Sequence, residues 1–208
     1  MALIEEFTKR GNWLFKHRSF LPLILYVLAI LVIVFTSDFF ADYQSLTFSL
    51  ICLAVALFGQ LIRILTIGYT PKATSGRNTK EQVAEELNTK GIYSIIRHPL
   101  YVGNYFMWLG LIIYVGNFWF IVLSSLMFWL YYERIMFAEE AFLRNKFGET
   151  YLKWAEKVTP FLPKLSNFQK SDLDFSFKNV LKREYNGFFA IFVSFAFIDF
   201  LQNYLKYN

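Results

Sequence analysis

A short polar turn at residues 91–104, GIYSIIRHPLYVGN, lies directly before a membrane-length apolar segment. Pro99 disfavours helix at His98 and fits the first turn of a helix that begins there. The backbone N–H groups of residues 100–102 then have no partner within the helix, and such groups bind anions. Gly103 lacks a side chain, so a ligand could approach the backbone closely. The turn predicts an anion site; the alternative is only the capped start of a transmembrane helix.

Two adjacent glutamates, Glu139 and Glu140, follow the next apolar segment within YYERIMFAEEAFL. An unpaired carboxylate near hydrocarbon is costly, so the pair points to a polar role. Adjacent helix positions point about 100° apart, and we expect at most one of the two to line a given pocket directly. Arg134 diverges from Glu139 by about 140° on an ideal helix, so the two could cooperate only through a bend or a long reach. The alternative is an interfacial helix start with solvated charges.

These groups together match the chemistry of S-adenosylmethionine. Helix N-terminal amides suit its carboxylate, acidic side chains suit its amino group or ribose hydroxyls, and aromatic rings suit its planar base or its sulfonium cation. A metal site is not expected, because the single cysteine, Cys52, lies in an apolar run and the two histidines, His17 and His98, are far apart.

The composition indicates that membrane helices position these residues. Of the 208 residues, 56% are hydrophobic and only 18% charged, which would expose too much apolar surface in a soluble domain. We therefore expect an all-α fold, a polytopic membrane helical bundle formed by one integral-membrane domain over residues 1–208. The net charge of +5 does not indicate nucleic-acid binding, since the basic residues are dispersed among apolar segments. No GxG motif occurs, which excludes a soluble Rossmann-type domain.

The apolar segments predict about five transmembrane helices, and about 20 residues cross the hydrocarbon layer. The last segment contains Asp199, so an interfacial helix is the alternative to a span. The first reads as a retained helix because no cleavage pattern follows it. The third and fourth form a tightly packed antiparallel hairpin joined at residues 116–117. The five segments are residues 20–35, 46–67, 100–115, 118–137 and 188–201.

Two polar features adjoin these segments. Arg63, near the end of the second, either reaches the interface, which we favour, or faces a polar cavity. The long connection over residues 68–98 is of a length that is usually functional. Within it, Thr79 and Gln82 have capping-box spacing, which predicts a short helix over residues 80–87.

The distribution of basic residues predicts the orientation of the bundle. Of the 21 basic residues, 18 lie before residue 20, between 68 and 98 or between 138 and 187, and none lies at 36–45 or 116–117. By the positive-inside rule, the amino terminus, the turn and the glutamates face the cytoplasm. The cofactor site is therefore expected at the cytoplasmic face.

Two motifs resemble a known family. RHPLYVG at 97–103, followed by AEEAFLRNKFGETYLKWAEKVTPFLP at 138–163, is similar to the RHPxYxG and EExxLxxxFGxxYxxY signature of the isoprenylcysteine carboxyl methyltransferase family. Its members are membrane-embedded enzymes that use S-adenosylmethionine, and phospholipid methyltransferases are related to them. The resemblance covers about residues 91–163, the expected cofactor and catalytic core. Trp154 stands where the signature usually has Tyr.

The resemblance implies a role for each motif residue. Glu140 would help to hold the adenosine or amino-acid end of the cofactor, while Arg134 and Glu139 correspond to the family's active-site Arg and Glu. The cofactor turn would consist of Arg97, His98, Pro99, Leu100, Tyr101 and Gly103.

The resemblance extends upstream to the bacterial subgroup that includes lipid A 1-phosphate methyltransferases. On that reading the protein lies in the bacterial inner membrane and methylates a lipid phosphate. A basic loop with Lys72, Arg77, Asn78 and Lys80 would suit a phosphate monoester; an ordinary solvated loop is the alternative. Prenylcysteine carboxyl and phospholipid amine acceptors are alternatives too, and the oligomeric state is not predicted. The expected acceptor-binding residues are Arg63, Arg77, Asn78 and Asn104.

Methyl transfer to an anionic oxygen is an in-line displacement that needs positioning and exclusion of water rather than a strong base. The hypothesis is that Arg134, alone or with Arg77, orients the acceptor oxyanion. The nearest rival is an NADPH-dependent membrane reductase of the sterol-reductase-like type, whose pattern is closer to HxNY than to the HPLY of residues 98–101. A small transporter would need a polar path near the midplane, whereas the charges here gather at one face.

Overall fold

The computed structural model describes residues 2–36, 45–70 and 82–207. The described residues form no β-strand, only isolated bridges that pair Gly91 with Gln169 and Ile96 with Thr159. The predicted all-α class is confirmed. Seven α-helices lie in the described ranges: α1 Leu3–His17, α2 Ile24–Phe35, α3 Leu46–Gly68, α4 Pro99–Tyr114, α5 Phe118–Phe147, α6 Glu149–Ala155 and α7 Phe177–Tyr207.

Three of these helices are long and apolar enough to cross a membrane: α3, α5 and Phe177–Leu205 of α7. The apolar helices α2 and α4 have 12 and 16 residues and are shorter than a full crossing. The five predicted segments therefore correspond to three full-length helices and two shorter ones. The last segment, left open between a span and an interfacial helix, belongs to the 31-residue α7, whose length and composition suit a span.

Helix α1 was not predicted, although its apolar residues recur at helical spacing among charges. It packs along α5, and Gly11 makes this close approach possible. A Cβ atom at Gly11 would lie 2.1 Å from the carbonyl oxygen of Arg134 and 2.7 Å from Cβ of Ala138. Phe15, one turn further, is buried. The polar amino-terminal segment is therefore part of the bundle.

Small residues bring α3 and α4 together. A Cβ atom at Gly59 would lie 2.4 Å from the carbonyl oxygen of Gly103, and one at Gly110 would lie 2.5 Å from that of Cys52. Close backbone approach of this kind is how membrane helices gain packing energy without a hydrophobic driving force. As a result, α4 packs most extensively against α3.

The predicted α4–α5 hairpin is present, with Gly116 at φ 82° in its turn. Its predicted tight packing is wrong, because large rings separate the two helices. Tyr101 of α4 meets Tyr132 of α5 at a ring-centroid distance of 4.9 Å, and Tyr105 meets Phe128 at 5.1 Å. The bulk of these rings leaves room for polar groups between the cytoplasmic ends predicted for the two helices.

The short helix predicted over residues 80–87 is wrong for the part that the structure describes. Residues 82–87 are not helical; they lie against a cavity at the end of the bundle, with Ala84 buried. Contact of this apolar residue with the bundle has overridden the local capping signal. Residues 80 and 81 are outside the described ranges.

The segment after α6 fixes the turn before α4. The backbone N–H of Arg97 donates to the carbonyl of Thr159 (2.9 Å), and that of Lys164 donates to the carbonyl of Ile95 (2.9 Å). The two motifs recognised in the sequence are therefore joined by main-chain hydrogen bonds. These bonds hold the turn at residues 95–98 in place directly before Pro99.

Candidate functional site

A cavity of about 530 Å³ lies at the end of the bundle where α4 begins and α5 ends. Its size is that of a small-molecule or cofactor site. Residues from α3, α4, α5, α6, α7 and the segment 82–88 line it. Eight of the residues predicted for the site are among them: Arg63, Arg97, His98, Pro99, Leu100, Tyr101, Asn104 and Glu139.

The first turn of α4 offers less to an anion than the sequence predicted. Helix α4 begins at Pro99, as expected. The N–H groups of Tyr101 and Val102, however, both donate to the carbonyl of His98, at 3.1 and 3.3 Å. Of the three N–H groups predicted to be open, this leaves at most that of Leu100. An anion in the cavity must therefore be held mainly by side chains.

Glu140 organises the side chains of the turn. Arg97 Nη1 donates to Glu140 Oε2 at 3.0 Å, and His98 Nε2 lies 2.9 Å from Glu140 Oε1. An ionised carboxylate only accepts hydrogen bonds, so His98 carries a proton on Nε2 when Glu140 is ionised. Glu140 does not itself line the cavity. It acts from behind the turn, where it neutralises Arg97 and orients the ring of His98.

Glu139 faces the cavity instead. Its side chain is one-third exposed, and it accepts a hydrogen bond from Tyr101 Oη at 2.8 Å. The two neighbouring glutamates thus divide between a ligand-facing and a supporting position, as their 100° separation on a helix requires. Which of the two reaches the cavity was left open by the sequence.

Gly148 explains the FG pair of the second motif. It ends α5 and begins α6 with φ 51°, a left-handed conformation that favours glycine. The reversal brings Tyr151 under the cavity, where it is 1% exposed. Burial raises the pKa of the Tyr151 hydroxyl above its ordinary value, and the charge of Glu140 raises this pKa further. The hydroxyl therefore stays protonated and available as a donor.

Arg97 and Tyr151 both line this end of the cavity, and the Tyr151 hydroxyl is in hydrogen-bonding contact with Glu140 and Arg97. Both side chains carry N–H or O–H donors, and a carboxylate supplies acceptors for such donors. This is the observation by which the site fits the amino-acid end of S-adenosylmethionine.

Aromatic rings line the neighbouring part of the cavity. The indole Nε1 of Trp154 donates to the carbonyl of Tyr93 at 3.2 Å, which fixes the ring that departs from the usual Tyr of the signature. Burial, and secondly the charge of Glu139, raise the pKa of Tyr93 above its ordinary value, so this ring stays neutral. Tyr93 and Trp154 can therefore present neutral π-faces to a planar base or a cation.

Five of the predicted site residues do not line the cavity or lie outside the described ranges: Glu140, described above, and Gly103, Arg134, Arg77 and Asn78. Arg134 faces α1, with its guanidinium carbon 3.5 Å from the centroid of the Phe7 ring and Nη1 3.8 Å from Glu133. The five-residue spacing from Glu139 turns it away from the site, and no bend corrects this. Arg77 and Asn78 lie outside the described residues.

Gly103 serves helix packing rather than close ligand approach. It does not line the cavity, and a Cβ atom there would lie 2.6 Å from Cγ of Arg63 and 2.9 Å from the carbonyl oxygen of Gly59. The glycine of the first motif therefore allows the stem of Arg63 to lie across α4.

Arg63 does not snorkel, which is the reading that the sequence favoured. Its Nε and Nη2 donate to Glu184 of α7 at 2.8 and 2.7 Å, and its Nη1 donates to Asn104 Oδ1 at 2.6 Å. Glu184 is 3% exposed and also accepts from Gln60 Nε2 at 2.9 Å. Sequence reasoning missed Glu184 because it lies before the last apolar segment. An arginine within a span, which requires a partner, was the available signal.

The cavity thus has two polar walls. We call Arg97, His98 and Glu139, together with Glu140 behind them, the motif wall, and we call Arg63, Asn104 and Glu184 the α7 wall.

Comparison with known proteins identifies the family of the chain. The family model described as phospholipid methyltransferase matches residues 45–150, which include α3, α4, α5 and the whole motif wall. The chain belongs to this family. Helix α7, and Glu184 with it, lies beyond the matched residues of the phospholipid methyltransferase family.

Curated relatives agree with the resemblance seen in the sequence. The chain is 33% identical over 131 residues to the protein-S-isoprenylcysteine O-methyltransferase of Schizosaccharomyces pombe, covering 60% of this chain and 51% of that protein. It is 32% identical to the enzyme of the same name from Xenopus laevis, over 60% of this chain and 44% of that protein. The predicted relation to the isoprenylcysteine carboxyl methyltransferase family is confirmed.

The chain is also similar to a bacterial protein. The cobalt-zinc-cadmium resistance protein CzcN of Cupriavidus metallidurans is 32% identical over 124 residues, which is 60% of this chain and 51% of that protein. The chain thus spans about half the length of the curated relatives that it matches. No solved structure matches the chain.

Proposed function

We propose that the protein is an integral-membrane methyltransferase that uses S-adenosylmethionine to methylate an anionic, lipid-linked acceptor. The observation that carries the proposal is that the donor-bearing side chains of Arg97 and Tyr151 line a cavity that Glu139 also faces. One end of the cavity thus offers donors for a carboxylate, and the same cavity offers a carboxylate for a cation.

The residues of the motif wall and the aromatic residues beside it have distinct roles in this proposal. S-adenosylmethionine, when bound, supplies a methyl group on a positively charged sulfur. Arg97 and Tyr151 would hold its carboxylate, Tyr93 and Trp154 would flank its base, and Glu139 would face its positive charge. Glu140 would keep Arg97 and His98 in place without touching the ligand. The chain's contribution is to position both reactants and exclude water.

The cavity suits an acceptor that carries a lipid tail. It is lined along α4 from Pro99 to Met107, a rise of about 12 Å into the bundle at 1.5 Å per residue. Helix α5, with 30 residues, is about 45 Å long and exceeds the hydrocarbon thickness of about 30 Å. The glutamates in its last three turns therefore lie near the membrane surface, while the α4 side of the cavity reaches deeper.

The acceptor atom is proposed to be an anionic oxygen. The names of the relatives favour a prenylcysteine-type carboxylate over a lipid A phosphate, for which the comparisons give no support. Both acceptors present the same chemistry, an oxygen already ionised at neutral pH, so no strong general base is required. The basic segments favour a site on the cytoplasmic side of the membrane, and the resemblance to the bacterial subgroup favours a bacterial inner membrane.

Calorimetry on the purified protein in lipid nanodiscs tests the cofactor. We expect S-adenosylhomocysteine to bind and NADPH not to bind. Binding of NADPH alone would favour the reductase alternative and overturn the proposal.

Transfer assays test the acceptor with two probes, N-acetyl-S-farnesylcysteine for a carboxylate and phosphatidic acid for a phosphate monoester. Mass spectrometry should show a gain of about 14 Da, one CH₂, on the accepted probe. We expect the carboxylate probe to react faster. If S-adenosylhomocysteine binds but neither probe is methylated, the proposal is limited to cofactor binding.

A further inference from the structure

The α7 wall holds one guanidinium in a fixed plane. Glu184 accepts two hydrogen bonds from one side of Arg63, on Nε and Nη2, and Asn104 accepts a third from Nη1. Side-on bidentate pairing restrains both the position and the plane of the group. Gln60 in turn donates to Glu184. Arg63 is therefore fixed by residues from α3, α4 and α7.

This restraint leaves part of the guanidinium available. An arginine has five N–H donors, and the contacts to Glu184 and Asn104 use three of those on Arg63. Nη1 and Nη2 each retain one further N–H group. Arg63 lines the cavity and its side chain is 21% exposed. The remaining donors can serve an anion in the cavity.

Stability alone does not account for a buried pair at this place. Removing two charges from water costs as much as their attraction returns, and apolar residues often stabilise a core equally well. The pair lies at the cavity instead, where Arg63 donates to Asn104, about 7 Å along α4 from Pro99. The headgroup of a lipid-linked acceptor reaches this depth, whereas the motif wall takes the cofactor.

We propose that Glu184 is a positioning residue which holds Arg63 as the contact for the acceptor's oxyanion. The inference rests on the proposed function and specifies its second ligand. Because Glu184 belongs to α7, an element outside the residues matched by the family model, this helix determines which acceptor the cavity takes.

The chemistry gives the contact a use in product release. A lone pair on the acceptor oxygen forms the new O–C bond, and the C–S bond breaks with its electron pair left on sulfur. A carboxylate thereby becomes a neutral ester, and the sulfonium becomes a neutral thioether. Arg63 loses its external anion but keeps Glu184, so no charge is left buried without a partner. The methylated product is held less tightly than the substrate.

Steady-state kinetics of four variants test the inference: Glu184→Gln, Glu184→Asp, Arg63→Gln and Arg63→Lys. N-acetyl-S-farnesylcysteine and phosphatidic acid are the acceptor probes, and calorimetry with S-adenosylhomocysteine reports an intact cofactor site. For Arg63→Gln and Glu184→Gln we expect the KM of the accepted probe to rise at least about tenfold, since one or more charge-assisted hydrogen bonds are lost. The affinity for S-adenosylhomocysteine should stay within twofold of that of the unmodified protein.

The conservative variants separate positioning from a structural role. Glu184→Asp keeps the charge, and we expect it to recover most of the lost acceptor affinity. Arg63→Lys keeps the charge but not the planar fork, and we expect it to recover little. The matched control is Tyr114→Phe, which removes another polar contact between α4 and α7, the 2.8 Å hydrogen bond to Asp199. The control should leave the KM for either probe unchanged.

Three outcomes would overturn the inference. One is an acceptor KM within twofold of the unmodified value in both glutamine variants while S-adenosylhomocysteine still binds. Another is loss of S-adenosylhomocysteine binding and turnover together in those variants, which would assign the pair to the fold. The third is an unmodified protein that binds no S-adenosylhomocysteine, since that removes the proposed function and this inference with it.

Discussion

The motif wall and the α7 wall both bury an arginine against a glutamate, but they assemble it differently. Arg97 and Glu140 are 43 residues apart, and both lie in motifs with a characteristic order. Arg63 and Glu184 are 121 residues apart and lie in no motif. The first pair is part of the region matched by the family model, whereas the second depends on a helix outside it. The wall proposed for the cofactor therefore lies within the matched region, whereas the wall proposed for the acceptor lies partly outside it.

Glu140→Gln should have the largest effect and would show that the motif wall carries cofactor binding. The change removes the charge that two side chains share, Arg97 at 3.0 Å and His98 at 2.9 Å. Arg97 and His98 are then no longer held at the cavity, and loss of such supporting contacts costs about 10–100-fold in affinity at comparable sites. Calorimetry with S-adenosylhomocysteine measures this loss.

The matched control for that variant is Glu133→Gln on the same helix, whose carboxylate is 44% exposed and pairs with Arg134 away from the cavity. Its affinity for S-adenosylhomocysteine should lie within twofold of that of the unmodified protein. Equal losses in the two variants would show that the cofactor is not bound at the motif wall.

Glu139→Gln should have an intermediate effect that distinguishes two forms of the ligand. Tyr101 keeps an acceptor at this position, but the negative charge facing the cavity is lost. S-adenosylmethionine carries a positive sulfur and its demethylated product, S-adenosylhomocysteine, does not. We therefore expect the KM for S-adenosylmethionine to rise about tenfold, while the affinity for S-adenosylhomocysteine changes less than threefold. Equal weakening of both ligands would place Glu139 at the amino group instead.

Gly103→Ala should have a smaller effect and would show that the two walls are coupled through α4. The new Cβ atom would lie 2.6 Å from Cγ of Arg63, so overpacking of about 1–3 kcal/mol must displace that side chain. We expect the acceptor KM to rise severalfold and Tm to fall by about 2–4 °C for each kcal/mol. Thermal unfolding and steady-state kinetics measure the two effects.

Gly110→Ala crowds the same α3–α4 seam, 2.5 Å from the carbonyl oxygen of Cys52, but away from the cavity. It should lower Tm comparably without changing the acceptor KM. A KM that rises in both variants would assign the effect to general loosening of the seam.

Arg134→Ala should have the smallest effect on cofactor binding and tests resemblance against geometry. The family likeness implies a catalytic arginine, whereas the structure places the guanidinium over Phe7 of α1. A cation–π contact of about 0.5–1 kcal/mol is lost, so we expect Tm to fall by about 1–4 °C and the affinity for S-adenosylhomocysteine to stay within twofold. Turnover abolished at an unchanged Tm would instead return Arg134 to the reaction.

Much of the fold could be predicted from the sequence because membrane insertion is decided locally. Long apolar runs predicted α3 and α5, and Pro99 predicted the start of α4 to the residue. Features that depend on contact between segments were missed. The packing of α4 on α3 rather than on α5 follows from which glycines face each other, and the absence of helix over residues 82–87 follows from their contact with the cavity.

The placement of the motif wall could be predicted where its residues lie close together in the chain. The divergence of neighbouring side chains on a helix predicted that only one of Glu139 and Glu140 would line the cavity, and it also explains why Arg134 does not. The open N–H groups were overestimated, because the His98 carbonyl already accepts from Tyr101 and Val102.

By itself, the sequence determined the membrane class, the main helices and the residues of the motif wall, because hydropathy and helical spacing act over a few turns. Only the tertiary structure decided that Arg63 is paired rather than solvated, since its partner Glu184 comes from a helix far along the chain. A buried charge needs a counter-charge in space, and no local pattern specifies which distant residue will provide it.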